Sequence, residues 1–354
     1  MNLWEQNIRK VVPYVPGEQP QQEDRIKLNT NENPYPPSPS VYQAHQSADV
    51  GSFALYPDPS AGELVKKLEG YYGLEDGQVF VGVGSDDVLS LAFLTFFNSE
   101  KPILFPDVTY SFYPVWADVY RIPYECVPLD DSFHICPEDY ARPNGGVVIA
   151  NPNAPTSMGL KRKEVEEIIR SNQDVIVIID EAYIDFGGET ALPLLKEYEN
   201  LLVVRTYSKS RSLAGMRIGF AMGNKRLIQA MNDVKESINS YTMSQEAIRV
   251  GVAAIDDEEV FQQNLKKVIR TRERSKEELE KRGFIVFDSQ TNFLFARHSQ
   301  IPAEKLFDAL RERRIYVRHF GSERIHNYLR ITIGTDEQMD ILFRALDEEI
   351  KNFY

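Results

Sequence analysis

LLVVRTYSKSRSLAGMRIGF, residues 201–220, is the stretch on which the reading of the whole chain turns. Four apolar residues lead into the polar Arg205, Thr206, Tyr207 and Ser208, and a single lysine, Lys209, follows. Small residues (Ser210, Ser212, Ala214, Gly215) then let the chain turn before a second apolar run opens at Met216. A short unbroken apolar run bounded by turn residues reads as a strand buried on both faces. Lys209 therefore stands just past the end of a buried strand, where open α/β sheets bind their ligands.

Working outward, similar apolar runs occupy residues 79–83, 102–105, 147–150, 175–179 and 218–222. Helical stretches such as KRKEVEEIIRSN (161–172) separate several of them. The expected fold is α/β: a large domain with a mostly parallel sheet covered by helices, then a smaller α+β domain. Residues 1–40, rich in proline, read as an irregular N-terminal arm. The large domain spans 41–250 and the small one 251–354, joined by a long charged helix over 256–282. That helix turns Val260, Leu265, Val268 and Ile269 inward and its charges to water. Strands are expected at 285–287, 292–296, 315–318 and 328–333.

Composition excludes several classes. A net charge of −13 over 354 residues argues against a nucleic-acid or anionic-membrane surface. Two cysteines, Cys126 and Cys136, make no disulfide framework, and no run is apolar enough to span a bilayer or act as a signal peptide. A soluble cytoplasmic protein is the expectation. The five histidines show no metal-ligand spacing, so no metal is expected.

Three polar groups follow three strand ends. VVIANPNAPTS leaves Asn151 and Asn153, VIVIIDEAY leaves Asp180, Glu181 and Tyr183, and LLVVRTYSK leaves Ser208 and Lys209. An amine and a carboxylate converging on one crevice are what pyridoxal 5'-phosphate requires. The amine binds the aldehyde and the carboxylate keeps the ring nitrogen protonated. Tyr183 can reach the ring oxygen, and Arg217 can pair with the phosphate bidentately. VFVGVGSDDVLSLAF adds a strand, Gly82 and Gly84, and a helix opening at Ser85 and Asp86, whose free N–H groups suit an anion. In that stretch Ser85 or Asp86 can equally be an ordinary helix cap.

These motifs, with LNTNENPYPPSPS, YPDPSAGELVKKL, IYVRHF and NYLRITIG in order along nearly the whole chain, resemble the fold-type I, aspartate aminotransferase-like superfamily of pyridoxal-phosphate enzymes. Within it the chain is similar to the histidinol-phosphate aminotransferase family. The resemblance implies that Lys209 binds the cofactor and shuttles a proton, while Asp180 meets the ring nitrogen and Tyr183 the ring oxygen. It implies that Ser85, Asp86, Ser208 and Arg217 hold the phosphate and that Tyr110 stacks on the ring. Tyr56 would reach the neighbouring subunit's cofactor in a homodimer with shared active sites. Arg330, with Arg318 and Tyr14, would grip the substrate's anionic group. The implied reaction moves an amino group between L-histidinol phosphate and 2-oxoglutarate, giving imidazole acetol phosphate and glutamate, in histidine biosynthesis.

One position departs from the family pattern. Where a second asparagine is usual before Pro-Thr, this chain has Ala154, so Asn153 or Asn151 is left to meet the ring oxygen, or Tyr183 meets it alone. Ser157 replaces the usual glycine after Thr156. Two other activities fit the same scaffold: an aromatic amino acid aminotransferase and a phosphothreonine decarboxylase-like lyase.

Overall fold

The computed structural model describes residues 2–353. The first strand, β1 (Ile26–Lys27), lies in the arm. A seven-stranded sheet follows from β2 (Val79–Gly82), β3 (Ile103–Pro106), β4 (Tyr124–Val127), β5 (Gly146–Ala150), β6 (Val177–Asp180), β7 (Leu201–Thr206) and β8 (Gly219–Gly223). Its order is β2-β8-β7-β6-β5-β3-β4. From β7 across to β4 every pair is parallel, and β8 runs antiparallel to both its neighbours. The mostly parallel sheet read from the sequence is present.

The pleat explains the unbroken apolar runs. Val177, Ile179 and Val203 point to one face, where they meet Leu64, Leu68, Ile168 and Val250 from helices. Ile178, Leu202 and Val204 point to the other, against Val88, Phe93, Trp116 and Met231. Successive side chains alternate, so a strand covered on both faces must be apolar throughout. β4 escaped the sequence reading because it is an edge strand, with Glu125 and Cys126 exposed. Pairing with β3, not apolar content, makes it a strand.

A second sheet is antiparallel, in the order β12 (Arg318–His319), β13 (Leu329–Thr332), β10 (Phe293–His298), β9 (Phe284–Val286). The run at 315–318, read as one strand, is divided. β11 (Ile315–Tyr316) leaves to pair in parallel with β1, and only Arg318–His319 joins β13. The arm is thus partly regular: Ile26–Lys27 makes a strand and Leu28 is buried in the second core. The helix Glu258–Lys281 lies within the expected 256–282, with Phe261 rather than Val260 as its first buried residue. A separate helix, Gln245–Asp256, precedes it, and the Asp257 carboxylate between the two accepts the Ser40 N–H at 2.7 Å.

Candidate active site

The parallel register sets Ala150 beside Asp180 and Asp180 beside Val204. Whatever follows β5, β6 and β7 therefore opens into one crevice at their carboxyl ends. Two contiguous cavities fill it, sharing Thr30, Tyr110, Ala154, Tyr183 and Lys209. The inner one is lined further by Ser85, Asp86, Asp180, Ser208 and Arg217. The outer one takes in Tyr14, Asn29, Arg318, Phe320 and Arg330.

Lys209 stands between the two. Its Nζ donates to the Thr30 carbonyl at 3.3 Å and lies 5.9 Å from the Tyr183 ring centre. Among the described residues no carboxylate pairs with it, so the amine faces the cavity with one weak bond.

Asp180 lies at the inner floor and is buried. Its carboxylate accepts the Tyr113 O–H at 2.9 Å and the Ala182 N–H at 3.1 Å, and among the described residues no cation pairs with it. Burial pushes its pKa up to about 6, against the lowering effect of those two donors. A buried acid held by neutral donors is poised to meet a cationic partner.

The far end of the inner cavity suits an anion. The helix Ser85–Phe96 starts there, and the opening N–H groups of a helix have no acceptor within it. Neither Ser85 nor Asp86 caps it, contrary to the alternative read from the sequence. Asp87 takes the Val83 N–H at 2.9 Å, while Asp86 accepts the Tyr110 hydroxyl at 2.7 Å. Gly84 has φ +88°, and a Cβ there would lie 2.4 Å from the Arg217 guanidinium. Arg217 itself makes only long bonds of 3.4–3.5 Å to Ser208 Oγ, the Ala214 carbonyl and Asp86. It is a loosely held cation at a helix N-terminus.

Tyr110 lines both cavities within an aromatic cluster of Phe112, Tyr113 and Trp116, and burial pushes its phenol well above the usual range. Tyr14 stacks on Phe112 at 4.1 Å, at the outer rim. Arg330 donates from Nη2 to the Asn29 carbonyl at 2.8 Å, while its Nε is buried without a partner. No carboxylate pairs with it among the described residues. The protein around it lowers its pKa by desolvation, with Arg318 adding repulsion. Buried polar groups are normally satisfied, so the unspent Arg330 donor, beside Arg318 with its one long 3.4 Å bond to the Val15 carbonyl, suits an anion.

Asn153 is not brought to the cavity. Its amide donates to the Val108 carbonyl and Thr156 Oγ1 and accepts from Thr109 Oγ1, at 2.7–2.9 Å. Asn151 is spent likewise on the backbone of Leu160. Both amides hold the loop shape, and Ala154 alone of that trio lines the crevice. Tyr56 is 80% exposed and stacked on Tyr241, and it does not line this chain's own cavity.

Sequence reasoning missed Tyr113 and Asn31. Tyr113 follows Tyr110 by three residues across the turn that opens the helix Phe112–Tyr120, and its ring packs against that of Tyr110 at 5.7 Å. Asn31 lies inside the LNTNENP motif, and its amide donates to the Tyr183 hydroxyl at 2.8 Å.

The class of protein is shown by comparison. The family described as aminotransferase class I and II matches residues 23–346, and the chain belongs to that family. It is an aminotransferase. It is 52% identical over 349 residues to histidinol-phosphate aminotransferase of Lactococcus lactis subsp. cremoris, covering 99% of this chain and 98% of that one. It is 49% identical over 343 residues to the enzyme of the same name from Clostridium beijerinckii, covering 97% and 96%. The solved histidinol-phosphate aminotransferase of Clostridium acetobutylicum superposes with a TM-score of 0.84 at 25% identity, over 92% of this chain and 99% of that one. The enzyme of that name from Sinorhizobium meliloti, solved in complex with pyridoxal-5'-phosphate, shares the fold at a TM-score of 0.85 and 24% identity, over 92% and 91%. Neither the aromatic aminotransferase nor the lyase alternative is favoured by these relatives.

Proposed function

We propose that the protein transfers the amino group of L-histidinol phosphate to 2-oxoglutarate, with pyridoxal 5'-phosphate in the inner cavity. The observation that carries this reading is the sequence of charges along one crevice. An uncompensated acid, Asp180, lies at the floor and an amine, Lys209, in the middle. A loose cation over a helix N-terminus lies at one end and the unspent Arg330 and Arg318 at the other. Two separate anion sites flanking an amine fit a phosphorylated cofactor and an anionic substrate. The cradle at Gly84 that a Cβ would fill, and the lack of a cation paired with Asp180 among the described residues, support the fit.

When bound, the cofactor supplies an aldehyde that takes up the amino group and a ring that draws electron density from the substrate Cα. The chain's residues do the rest. Asp180 would meet the ring nitrogen as a carboxylate, since a cationic partner offsets the burial that raises its pKa, and would keep a proton there. Lys209, with no carboxylate partner, carries the proton to and from the substrate Cα. Tyr183 would donate to the ring oxygen, Tyr110 would cover the ring, and Ser85, Asp86, Ser208 and Arg217 would hold the phosphate. Arg330, with Arg318 and Tyr14, binds a phosphate monoester in one half-reaction and carboxylates in the other, because a planar fork of donors suits either group.

The protein is read as a homodimer with shared sites. Val50, Phe53, Leu55, Tyr56, Ile238 and Tyr241 are exposed apolar side chains, with Tyr56 stacked on Tyr241, and a second copy would cover them. It is also read as cytoplasmic, since its two cysteines are free and no described helix is long and apolar enough to cross a membrane.

Borohydride treatment of the cofactor-loaded enzyme should fix the label on the peptide containing Lys209. In kcat/KM, histidinol phosphate should exceed phenylalanine and tyrosine as donor, and Arg330→Ala should impair both half-reactions. Labelling elsewhere, or better turnover of the aromatic donors, would refute the assignment.

A further inference from the structure

Asn31 sits at a crossing of three parts of the molecule. It is 1% exposed and its φ is +56°, a conformation asparagine tolerates better than most residues. Thr332 of β13 fixes its orientation twice. The Asn31 N–H donates to Thr332 Oγ1, and the Thr332 hydroxyl donates to Asn31 Oδ1, both at 3.0 Å. Asn292 adds a third hold, donating from Nδ2 to the Asn31 carbonyl at 2.9 Å. With Oδ1 spent on Thr332, the amide nitrogen must face the other way, and there it donates to the Tyr183 hydroxyl oxygen.

The direction of that bond matters. A phenol that accepts from an amide keeps its own proton free to donate elsewhere. No side-chain amide of the 151–157 loop reaches the cavity, because Asn151 and Asn153 are committed and residue 154 is alanine. We infer that Asn31 is a positioning residue that forces Tyr183 to act as a hydrogen-bond donor into the cavity, the task no asparagine near Ala154 performs. This rests on the proposed placement of the cofactor's ring oxygen beside Tyr183.

A donor on that oxygen withdraws its negative charge and weakens its hold on the adjacent proton. Losing the donor should raise the pH at which the bound cofactor changes colour. In Asn31→Asp the carboxylate keeps the shape but cannot donate, so Tyr183 turns its proton onto it. The other charged groups lining the crevice (Lys209, Asp180, Asp86, Glu32, Arg217, Arg318 and Arg330) are unchanged in every variant.

The test is a spectrophotometric pH titration of the cofactor-loaded enzyme, with cofactor affinity measured alongside. Tyr183→Phe should raise the midpoint by about one pH unit, the scale of one hydrogen bond to a charged group. Asn31→Asp should raise it comparably, and adding it to Tyr183→Phe should raise it little further. Should Asn31→Asp fold less well, Asn31→Gly suits the positive φ and should shift the midpoint the same way by less. The inference is overturned if both Asn31 variants keep the wild-type midpoint while Tyr183→Phe moves it. It is overturned too if Asn31→Asp shifts equally with and without Tyr183, which would mean a direct effect of the new charge. If Tyr183→Phe leaves the midpoint unmoved, the placement of the cofactor beside Tyr183 fails, and this inference fails with it.

Discussion

Asp180 and Glu181 are neighbours in sequence, both buried, and opposite in character. Glu181 points away from the crevice to Arg205, whose Nε donates to it at 2.9 Å, with Thr190 Oγ1 and the Ala191 N–H completing its shell at 2.9 and 2.6 Å. That pair is closed to water, with side-chain exposures of 8% for the arginine and 0% for the glutamate. Asp180 points into the cavity and has only a phenol and one backbone N–H. One buried carboxylate is finished by the protein, and the other is left for a ligand to finish. The strand pleat separates them, since consecutive side chains leave on opposite faces.

The largest effect should come from breaking the finished pair. Glu181→Gln leaves the buried Arg205 guanidinium with only the longer 3.7 Å contact to Asp185 as counter-charge, and should cost about 3 kcal/mol of stability in urea unfolding. The kcat of the remaining folded enzyme should stay near wild type. A large loss of kcat without destabilisation would place Glu181 in the chemistry and erase the contrast.

Asp180→Asn should do the reverse. Activity should fall about 10²–10³-fold, the scale of removing one preorganised electrostatic contact. Stability of the cofactor-free protein should rise at neutral pH. The native pKa, about 6, lies above the ordinary 3.8, so the native state binds the proton more tightly than the unfolded chain. That contribution is complete below pH 3.8 and lost as pH climbs through 6. Replacing the acid by a neutral amide should therefore add up to about 3 kcal/mol at pH 7 and much less at pH 4. Thermal melts at the two pH values check the sign.

A smaller change should sharpen the comparison. Tyr113→Phe removes one of the two donors that hold the Asp180 pKa down. The acid limb of the kcat/KM profile should move to higher pH by about half to one unit. Kinetics in which only the plateau falls would mean that Tyr113 merely packs. The smallest effect is expected from Arg318→Ala, which leaves Arg330 in place. Its loss should raise KM for the phosphorylated donor by about tenfold and that for glutamate by less.

Much of the candidate site was legible in the sequence because its residues follow strand ends. Lys209, Asp180, Tyr183, Ser208 and Arg217 could be listed once the apolar runs were recognised as parallel strands, and the structure gathers them on one cavity. Asn153 shows where that logic stops. Being next to the crevice in sequence did not decide whether its amide faced the ligand or the loop, and three local hydrogen bonds took it. The strand divided between Tyr316 and Arg318 shows the same limit for the fold. Periodicity marks extended chain, but which sheet it joins depends on a partner some 290 residues earlier, Ile26–Lys27.

What the amino-acid sequence determined by itself was local and additive: strands buried on both faces, a helix opening after Gly84, and a lysine, acid and arginine held at fixed offsets from them. These follow from side-chain period and turn chemistry, which neighbours along the chain settle among themselves. Only the tertiary structure decided which polar groups are spent and which are free. Asn31 reaches Tyr183 across 152 residues and Tyr113 reaches Asp180 across 67. A hydrogen bond is a property of two atoms brought within about 3 Å, and no single stretch of sequence contains both.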